Sequence, residues 1–298
     1  MNALREILSP DFPLRNSVCS GVLTGAVAPL AGVYLVVGRR TMLALMLPQV
    51  STAGVALTIG VCTVLGMNVG LHGGSSRFFM LAALGAAVAM AVALLWQTRV
   101  SGCTGSNDDA DSAATYALAS AMTLGLAASN LVPEMGLLGI LHGESLAVTA
   151  VMLRVQALTY TAVVVIVFAL WHPFSFLLFN PMLAYCAGLP SRRISATLTA
   201  VICLVIAIGG LCAGPLAVFG FLVTPVLIVH PFTHSLRKLV IFSGVIGAAA
   251  AFAGFYLSYV LEDWTLPVTA AQLLLLGALW VASRLLRLGM SWRETVFG

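Results

Sequence analysis

The chain has 298 residues, of which 60% are hydrophobic and only 8% are charged, and this balance excludes an ordinary soluble globular domain. The net charge of +4 comes from arginines that flank apolar segments, which is typical of a membrane topology and not of nucleic-acid binding. A spanning helix needs about 20 apolar residues, so we predict an all-α, polytopic transmembrane bundle of about 8–9 helices, forming a single transmembrane domain over residues 1–298.

The apolar segments follow one another with short polar interruptions. They occupy residues 18–37, 42–65, 78–96, 113–131, 148–171, 194–212, 216–229, 239–260 and 267–285. The seventh segment is short enough to be a half-helix. A glycine-rich run at residues 209–215 and the Thr224–Pro225 step interrupt the apolar pattern, so we expect a broken helix near 214–225. Such breaks are tolerated within a membrane where they line a cavity or are buried in protein.

The distribution of basic residues sets the expected orientation. With the N-terminus outside and nine crossings, the outer side keeps only Arg5, Arg15 and Arg77, as the positive-inside rule requires. The cytoplasmic group comprises Arg39, Arg40, Arg99, Arg192, Arg193, Arg237, Lys238, Arg284, Arg287 and Arg293. The six cysteines lack C-x-x-C spacing and are interpreted as small core residues rather than a disulfide framework.

The second apolar segment carries an unusual number of polar and sulfur-bearing residues. Met42, Met46 and Gln49 recur at helical spacing on one face, and Ser51 follows on another. Polar side chains within a span usually face a bundle interior or a pathway, so these four residues are candidates for lining a translocation pathway. The other interpretation is that they form hydrogen bonds between packed helices. Pro48 predicts a kink in the same helix.

Residues 174–193 interrupt the long apolar pattern but are too apolar for an ordinary loop. Asn180 is a candidate N-cap, Pro181 suits the first helical position and Gly188 suits the stop, which predicts a short cytoplasmic helix. Such a helix between two spans suggests a piece that docks against a soluble partner. The alternative is an interfacial helix that only turns the chain around.

The last part of the chain suggests packing and an outer mouth. The small residues of the 244–254 segment predict close helix packing, and a second copy of the chain is one candidate partner. Beyond it lie Ser258 and Tyr259, and then Glu262 and Asp263, which would make a negatively charged mouth that attracts cations.

Several kinds of function are disfavoured. None of the ten acidic residues lies centrally in a predicted span, which argues against an ion-coupled secondary transporter. The single lysine, Lys238, does not follow a glycine, so a phosphate-binding P-loop is not predicted, and no hydrolase or metalloprotease motif is present. We therefore expect no catalytic residue in this chain. The His230–His234 pair and the Asp108–Asp111 run are weak metal candidates, and the metal ligands stay unknown.

Taken together, several stretches resemble the membrane permeases of bacterial ABC importers for zinc, manganese or iron, which are served by cluster A-I binding proteins. The resemblance covers roughly residues 12–286 and depends on the order and spacing of its parts. Those parts are residues 29–40 with their basic stop, 51–56, 179–189, 214–225 and 258–267.

The resemblance implies partners and roles that composition does not give. It implies a cytoplasmic ATPase that binds the ATP and magnesium, a periplasmic substrate-binding protein and a second permease copy in a homodimer, all at a bacterial inner membrane. This chain itself would bind no cofactor. The ATPase would dock on a coupling helix whose matching residues are Asn180, Pro181, Leu183, Ala184, Gly188 and Leu189. The translocation pathway would include Met42, Met46, Gln49, Ser51, Thr224, Pro225, Ser258 and Tyr259.

One departure from the family pattern bears on the cargo. The family typically has an Asp and a His one turn apart at the start of its second helix, and here these positions are Leu45 and Gln49. Leucine cannot bind a metal, and glutamine is a neutral donor that zinc and manganese do not favour. The expected cargo is therefore a divalent transition metal or a metal chelate. The alternatives are an ion-independent secondary carrier or channel-like protein, and a structural membrane component.

Overall fold

A computed structural model describes residues 14–65, 76–104, 108–129, 148–179, 190–233, 235–260 and 266–297. Within these ranges the regular structure is helical. The α-helices are α1 (Arg15–Val37), α2 (Thr41–Val64), α3 (Ser76–Thr104), α4 (Asp108–Ala128), α5 (Ala150–Ala169), α6 (Trp171–Phe179), α7 (Ser191–Ala213), α8 (Pro215–Val229), α9 (Leu236–Val260) and α10 (Val268–Phe297). A short 3-10 turn, His230–Phe232, extends α8. The predicted helical transmembrane bundle is confirmed.

Eight of the described helices are long and apolar enough to cross a membrane. Helix α4 is not one of them, because its alanine, serine and threonine residues make it less apolar, yet it has 21 residues and packs closely on α2. The prediction of about 8–9 membrane helices is therefore confirmed. Helix α4 begins at Asp108, so the Asp108–Asp111 run lies in its first turn.

Helix α1 lies at the centre of one group of helices and contacts α5, α7, α8 and α9. Its contact with α9 is a backbone-to-backbone approach: a Cβ atom added to Gly25 would lie 2.5 Å from the carbonyl oxygen of Gly247, and one added to Gly244 would lie 3.0 Å from that of Ala26. Glycine allows this distance because it has no side chain. Gly244 and Gly247 of the 244–254 segment therefore pack against α1 of the same chain, and contact of this segment with a second copy stays a prediction.

Helix α2 organises the second group, with α3 and α4 packed against it. The α2–α3 contact also depends on glycine, since a Cβ atom added to Gly54 would lie 2.6 Å from the carbonyl oxygen of Gly85. Helix α2 continues through Pro48 to Val64, and Thr52 Oγ1 donates a hydrogen bond of 3.0 Å to the Pro48 carbonyl. This bond gives the Thr52 hydroxyl a partner within its own helix.

The expected broken helix occurs at one point and not at two. Gly214 has φ 84° and ψ 157°, a conformation that glycine adopts without steric cost, and it separates α7 from α8. Pro215 then occupies the first position of α8, where its missing N–H is not needed. The interruption predicted at Thr224–Pro225 is wrong, because α8 continues through Pro225 to Val229. Pro225 is buried among neighbouring helices, and this packing holds the helix together despite the lost hydrogen bond.

The apolar stretch that contains Trp171 divides near the predicted end of the fifth span, but residues 171–179 form a helix that the sequence did not predict. Helix α5 ends at Ala169 and α6 begins at Trp171, so Pro173 lies in the first turn of α6, where proline is tolerated. Phe174 of α6 is fully buried, and its ring meets Tyr34 of α1 edge-on, with the ring centroids 5.8 Å apart. The predicted coupling helix at Asn180–Leu189 lies outside the described residues.

Candidate functional site

The structure places the candidate pathway residues of α2 in different surroundings. Met42 is 42% exposed, Gln49 is half-buried and Met46 is fully buried. The Met46 sulfur lies 3.4 Å from Gln97 Nε2 of α3, which also donates a hydrogen bond of 2.9 Å to Ser112 of α4. Gln97 therefore links Met46 of α2 to Ser112 of α4 within one chain. A lining role for the three residues stays a prediction.

The two positions that depart from the resembled pattern lie one turn apart on α2. Leu45 and Gln49 are both half-buried, so neither is sealed in the core of the chain. Within the described ranges, no three His, Cys, Asp or Glu side chains come together in a group that could hold a metal ion. Ser51, further along α2, is buried and faces α7, where a Cβ atom added to Gly210 would lie 3.5 Å from the Ser51 hydroxyl.

The other candidates lie on later helices. Thr224 is half-buried and Pro225 is buried on α8. Ser258, near the end of α9, donates a hydrogen bond of 2.7 Å to the Leu266 carbonyl, which ties α9 to the start of α10. Tyr259 is half-buried beside it. The candidates Glu262 and Asp263 fall in a part of the chain that the structure does not describe, and so do the six coupling residues.

A buried polar cluster, which sequence reasoning did not single out, joins α1 to α5. Gln156 of α5 accepts a 2.6 Å hydrogen bond from the Ser20 hydroxyl, and it donates bonds of 2.8 Å to Thr24 Oγ1 and 3.1 Å to the Ser20 carbonyl. Beside it, the Tyr160 hydroxyl donates a 3.3 Å bond to the Val205 carbonyl of α7. Ser20, Thr24 and Gln156 have no exposed surface. A glutamine inside an apolar segment was the available signal.

The chemistry of this cluster is structural. Each of its side chains has a partner, and a saturated network in a low-dielectric interior fixes the geometry of the helices that contribute to it. We describe Ser20, Thr24, Gln156 and Tyr160 as the polar cluster. It holds α1, α5 and α7 in register and offers no open coordination position.

Comparison with known proteins gives matches over most of the chain. The model of the ABC 3 transport family matches residues 11–284. The fold is similar to that of PsaBC from Streptococcus pneumoniae, solved in complex with a Fab, with a TM-score of 0.79 and 19% identity over 95% of this chain and 94% of that one. It is also similar to an inward-facing transporter assigned to the metal-chelate ABC type, with a TM-score of 0.68 and 15% identity over 90% and 84% of the two chains. No curated protein sequence matches this chain.

Proposed function

The chain belongs to the ABC 3 transport family, and from that premise we propose that it is the permease subunit of an ATP-driven importer for a divalent transition metal or a metal chelate. The observation that carries the proposal is the family match over residues 11–284. Members of this family are multi-pass membrane transport subunits and not enzymes themselves. The similarity in fold to a metal-chelate type transporter supports the cargo class.

The proposed machine has several chains. ATP and magnesium bind a separate cytoplasmic ATPase, and a periplasmic binding protein delivers the cargo to the mouth near Glu262 and Asp263. Two copies of this chain form a homodimer in the bacterial inner membrane, with the N-terminus of each in the periplasm. Residues 180–189 transmit the motion of the ATPase. In this orientation the end of the bundle with Arg39, Arg40 and Arg193 faces the cytoplasm, as the positive-inside rule requires.

The cargo depends on positions 45 and 49. Leu45 offers no ligand atom, and the Gln49 amide offers a neutral oxygen, so the pair does not provide the anionic and imidazole ligands that manganese or zinc prefers. A chelated metal arrives with its own ligands and needs a polar and soft lining rather than direct coordination. Half-buried Gln49 and exposed Met42 are suited to that lining.

The test is the ATPase rate of the assembled complex in nanodiscs. The chain is co-expressed with its candidate ATPase and binding protein, and zinc, manganese, iron and a chelated metal are added in turn. Stimulation by a free ion or by a chelate supports the proposal and identifies the cargo form. An ATPase that does not co-purify with the chain, or that responds to no metal form, overturns it in favour of a secondary carrier or channel-like protein.

A pair of substitutions sharpens the result. Leu45→Asp combined with Gln49→His installs two metal ligands one turn apart, and Leu45→Asn combined with Gln49→Asn is the matched control with weak ligands. If Leu45 and Gln49 face the pathway, the first variant gains stimulation by free manganese or zinc and the control does not. Equal responses of both variants would mean that these positions do not meet the cargo.

A further inference from the structure

A cavity of about 480 Å³ opens at the arginine-bearing end of the bundle, between α1, α2, α3, α6 and α7. Its volume is within the range of about 300–1,000 Å³ that is usual for small-molecule sites. We call it the Arg40 cavity. It lies within a single copy of the chain and is lined by none of the candidate pathway residues on α2, α8 and α9.

The walls of the Arg40 cavity are mostly apolar. Eight of the thirteen lining residues that the structure describes are leucine or isoleucine, contributed by all five helices. The polar side chains among the thirteen are one arginine and three hydroxyl-bearing residues, namely Arg40, Tyr34, Ser195 and Thr199. None of these described lining residues is acidic, so none of them supplies a carboxylate that would neutralise the arginine. This composition suits a ligand with an anionic head and an apolar body.

The turn between α1 and α2 fixes the position of Arg40. The Arg40 amide donates a 2.8 Å bond to the Leu35 carbonyl, and the Arg39 amide donates a 3.1 Å bond to the Val36 carbonyl. These two bonds form a Schellman motif, with Arg39 at a left-handed φ of 55° in the position that glycine usually occupies. The motif ends α1 sharply and places Arg40 at the rim of the cavity.

Tyr34 is a second polar group at the wall of the cavity. It is 5% exposed, yet its hydroxyl has no hydrogen-bond partner among the residues that the structure describes. Leaving a buried hydroxyl unpaired is unfavourable, and native proteins seldom do so without a water or ligand nearby. The edge-on contact with Phe174 holds the Tyr34 ring at the cavity.

We propose that the Arg40 cavity binds the headgroup of an anionic phospholipid from the leaflet at this end of the bundle. The Arg40 guanidinium pairs with the phosphate, and the Tyr34 hydroxyl donates to a headgroup oxygen. The leucines of α2, α3 and α6 contact the glycerol and the first part of the acyl chains. Basic pockets between membrane helices bind anionic headgroups in this manner, and the cytoplasmic leaflet is the one rich in anionic lipid.

The test measures lipid binding directly and needs neither transport nor the ATPase, so it can fail without affecting the proposed function. Purified full-length chain in detergent is titrated with phosphatidylglycerol or with phosphatidylcholine of the same acyl chains, and bound lipid is counted by native mass spectrometry. The wild type should prefer phosphatidylglycerol. Arg40→Gln should weaken that binding about fivefold, and Tyr34→Phe about threefold.

Arg237→Gln is the matched control. It removes the same charge from an exposed residue at the same end of the bundle, outside the Arg40 cavity. It should leave phosphatidylglycerol binding nearly unchanged. Equal weakening by Arg40→Gln and Arg237→Gln would show a diffuse attraction of lipid to basic residues and would overturn the site. Absence of any preference over phosphatidylcholine would overturn it as well.

Two further measurements separate a lipid from a free anion. Ser195→Phe places a bulky ring in the cavity and should abolish the preference for phosphatidylglycerol without removing a charge. Soluble glycerol phosphate should displace bound lipid poorly, because it lacks the apolar part that contacts the leucines. Efficient displacement by glycerol phosphate would mean that the cavity recognises a free phosphate and not a lipid.

Discussion

The two parts of α1 differ in how completely neighbouring residues supply hydrogen-bond partners for their buried polar groups. In residues 17–32, Ser20 and Thr24 bond to Gln156, and Gly25 meets the backbone of Gly247 directly. In residues 33–37, the buried Tyr34 hydroxyl has no hydrogen-bond partner among the residues that the structure describes, and it lies beside a cavity of about 480 Å³. Both parts belong to one continuous helix in one bundle, so the difference reflects the neighbours and not the helix itself.

This difference shows how to tell a structural polar group from one that awaits a ligand. Buried polar side chains are expensive, and a chain can meet that cost with its own groups or leave it to a molecule that binds. The polar cluster is of the first kind, because its donors and acceptors find protein partners. Tyr34 is of the second kind, because its buried hydroxyl has no partner among the residues that the structure describes. Substitutions in residues 17–32 should therefore lower stability, whereas substitutions beside the cavity should weaken ligand binding.

The largest effect on stability should come from Gly25→Ala. The added methyl group would lie 2.5 Å from the Gly247 carbonyl oxygen, so α1 and α9 must separate, and we expect a loss of about 2–3 kcal/mol. Equilibrium unfolding in a lipid–detergent mixture measures it. Gly125→Ala on α4 is the matched control, since its Cβ atom would meet nothing within 4 Å. Similar losses in both variants would contradict the close α1–α9 contact.

Gln156→Leu should rank second, with a loss of about 1–2 kcal/mol. The substitution keeps the volume roughly constant but removes the acceptor of Ser20 and the donor to Thr24. Hydrogen bonds between membrane helices contribute less free energy than values for a vacuum suggest, and this sets the upper limit of the expected loss. The same unfolding assay measures the loss. A variant as stable as the wild type would show that the polar cluster is dispensable for packing.

Two matched tyrosines sharpen the comparison further. Tyr160→Phe removes a hydroxyl that donates to the Val205 carbonyl and should cost about 0.5–1 kcal/mol. Tyr34→Phe removes a hydroxyl that has no partner among the described residues, so delipidated protein should lose close to nothing. The measurement is the difference between the losses of unfolding free energy that the two substitutions cause. Equal losses would mean that the Tyr34 hydroxyl has a partner within the protein.

The smallest change in stability, and the clearest change in binding, should come from Arg40→Gln. Arg40 is exposed at the rim of the cavity, so delipidated protein should unfold as the wild type does. Added phosphatidylglycerol should then stabilise the wild type more than the variant, because at a given ligand concentration the tighter-binding protein gains more stability. Identical stabilisation of both proteins would remove Arg40 from the lipid site.

The sequence predicted the helices better than it predicted their contacts. Apolar length alone located nine of the ten described helices, because each span must satisfy its backbone internally. It also predicted the break at Gly214, where glycine precedes proline. It failed at Pro225, because proline tolerance within a helix depends on burial by neighbours that the sequence does not reveal. For the 244–254 segment it predicted the close packing but not that α1 is the partner, since small residues do not specify which helix they meet.

The candidate site was predicted less completely. The sequence singled out Met42, Met46 and Gln49 from their spacing, but their unequal exposure depends on how α3 and α4 pack around α2. Gln156 stood in an apolar segment and could have been noticed, whereas Ser20 and Thr24 are common in spans and gain meaning only from the contact with α5. The Arg40 cavity combines residues from five helices, and no local pattern brings them together.

The proline within α1 has a consequence for motion. Pro29 has no N–H, so the carbonyl of Gly25, four residues earlier, lacks its usual partner within the helix. That carbonyl lies directly against Gly247 of α9, where a Cα–H group can serve as a weak donor. Pro29, which could otherwise let α1 bend, thus lies at the close contact between α1 and α9. We therefore expect α1 and α9 to move together as one rigid body in any conformational change of the chain, with the bending confined to other helices.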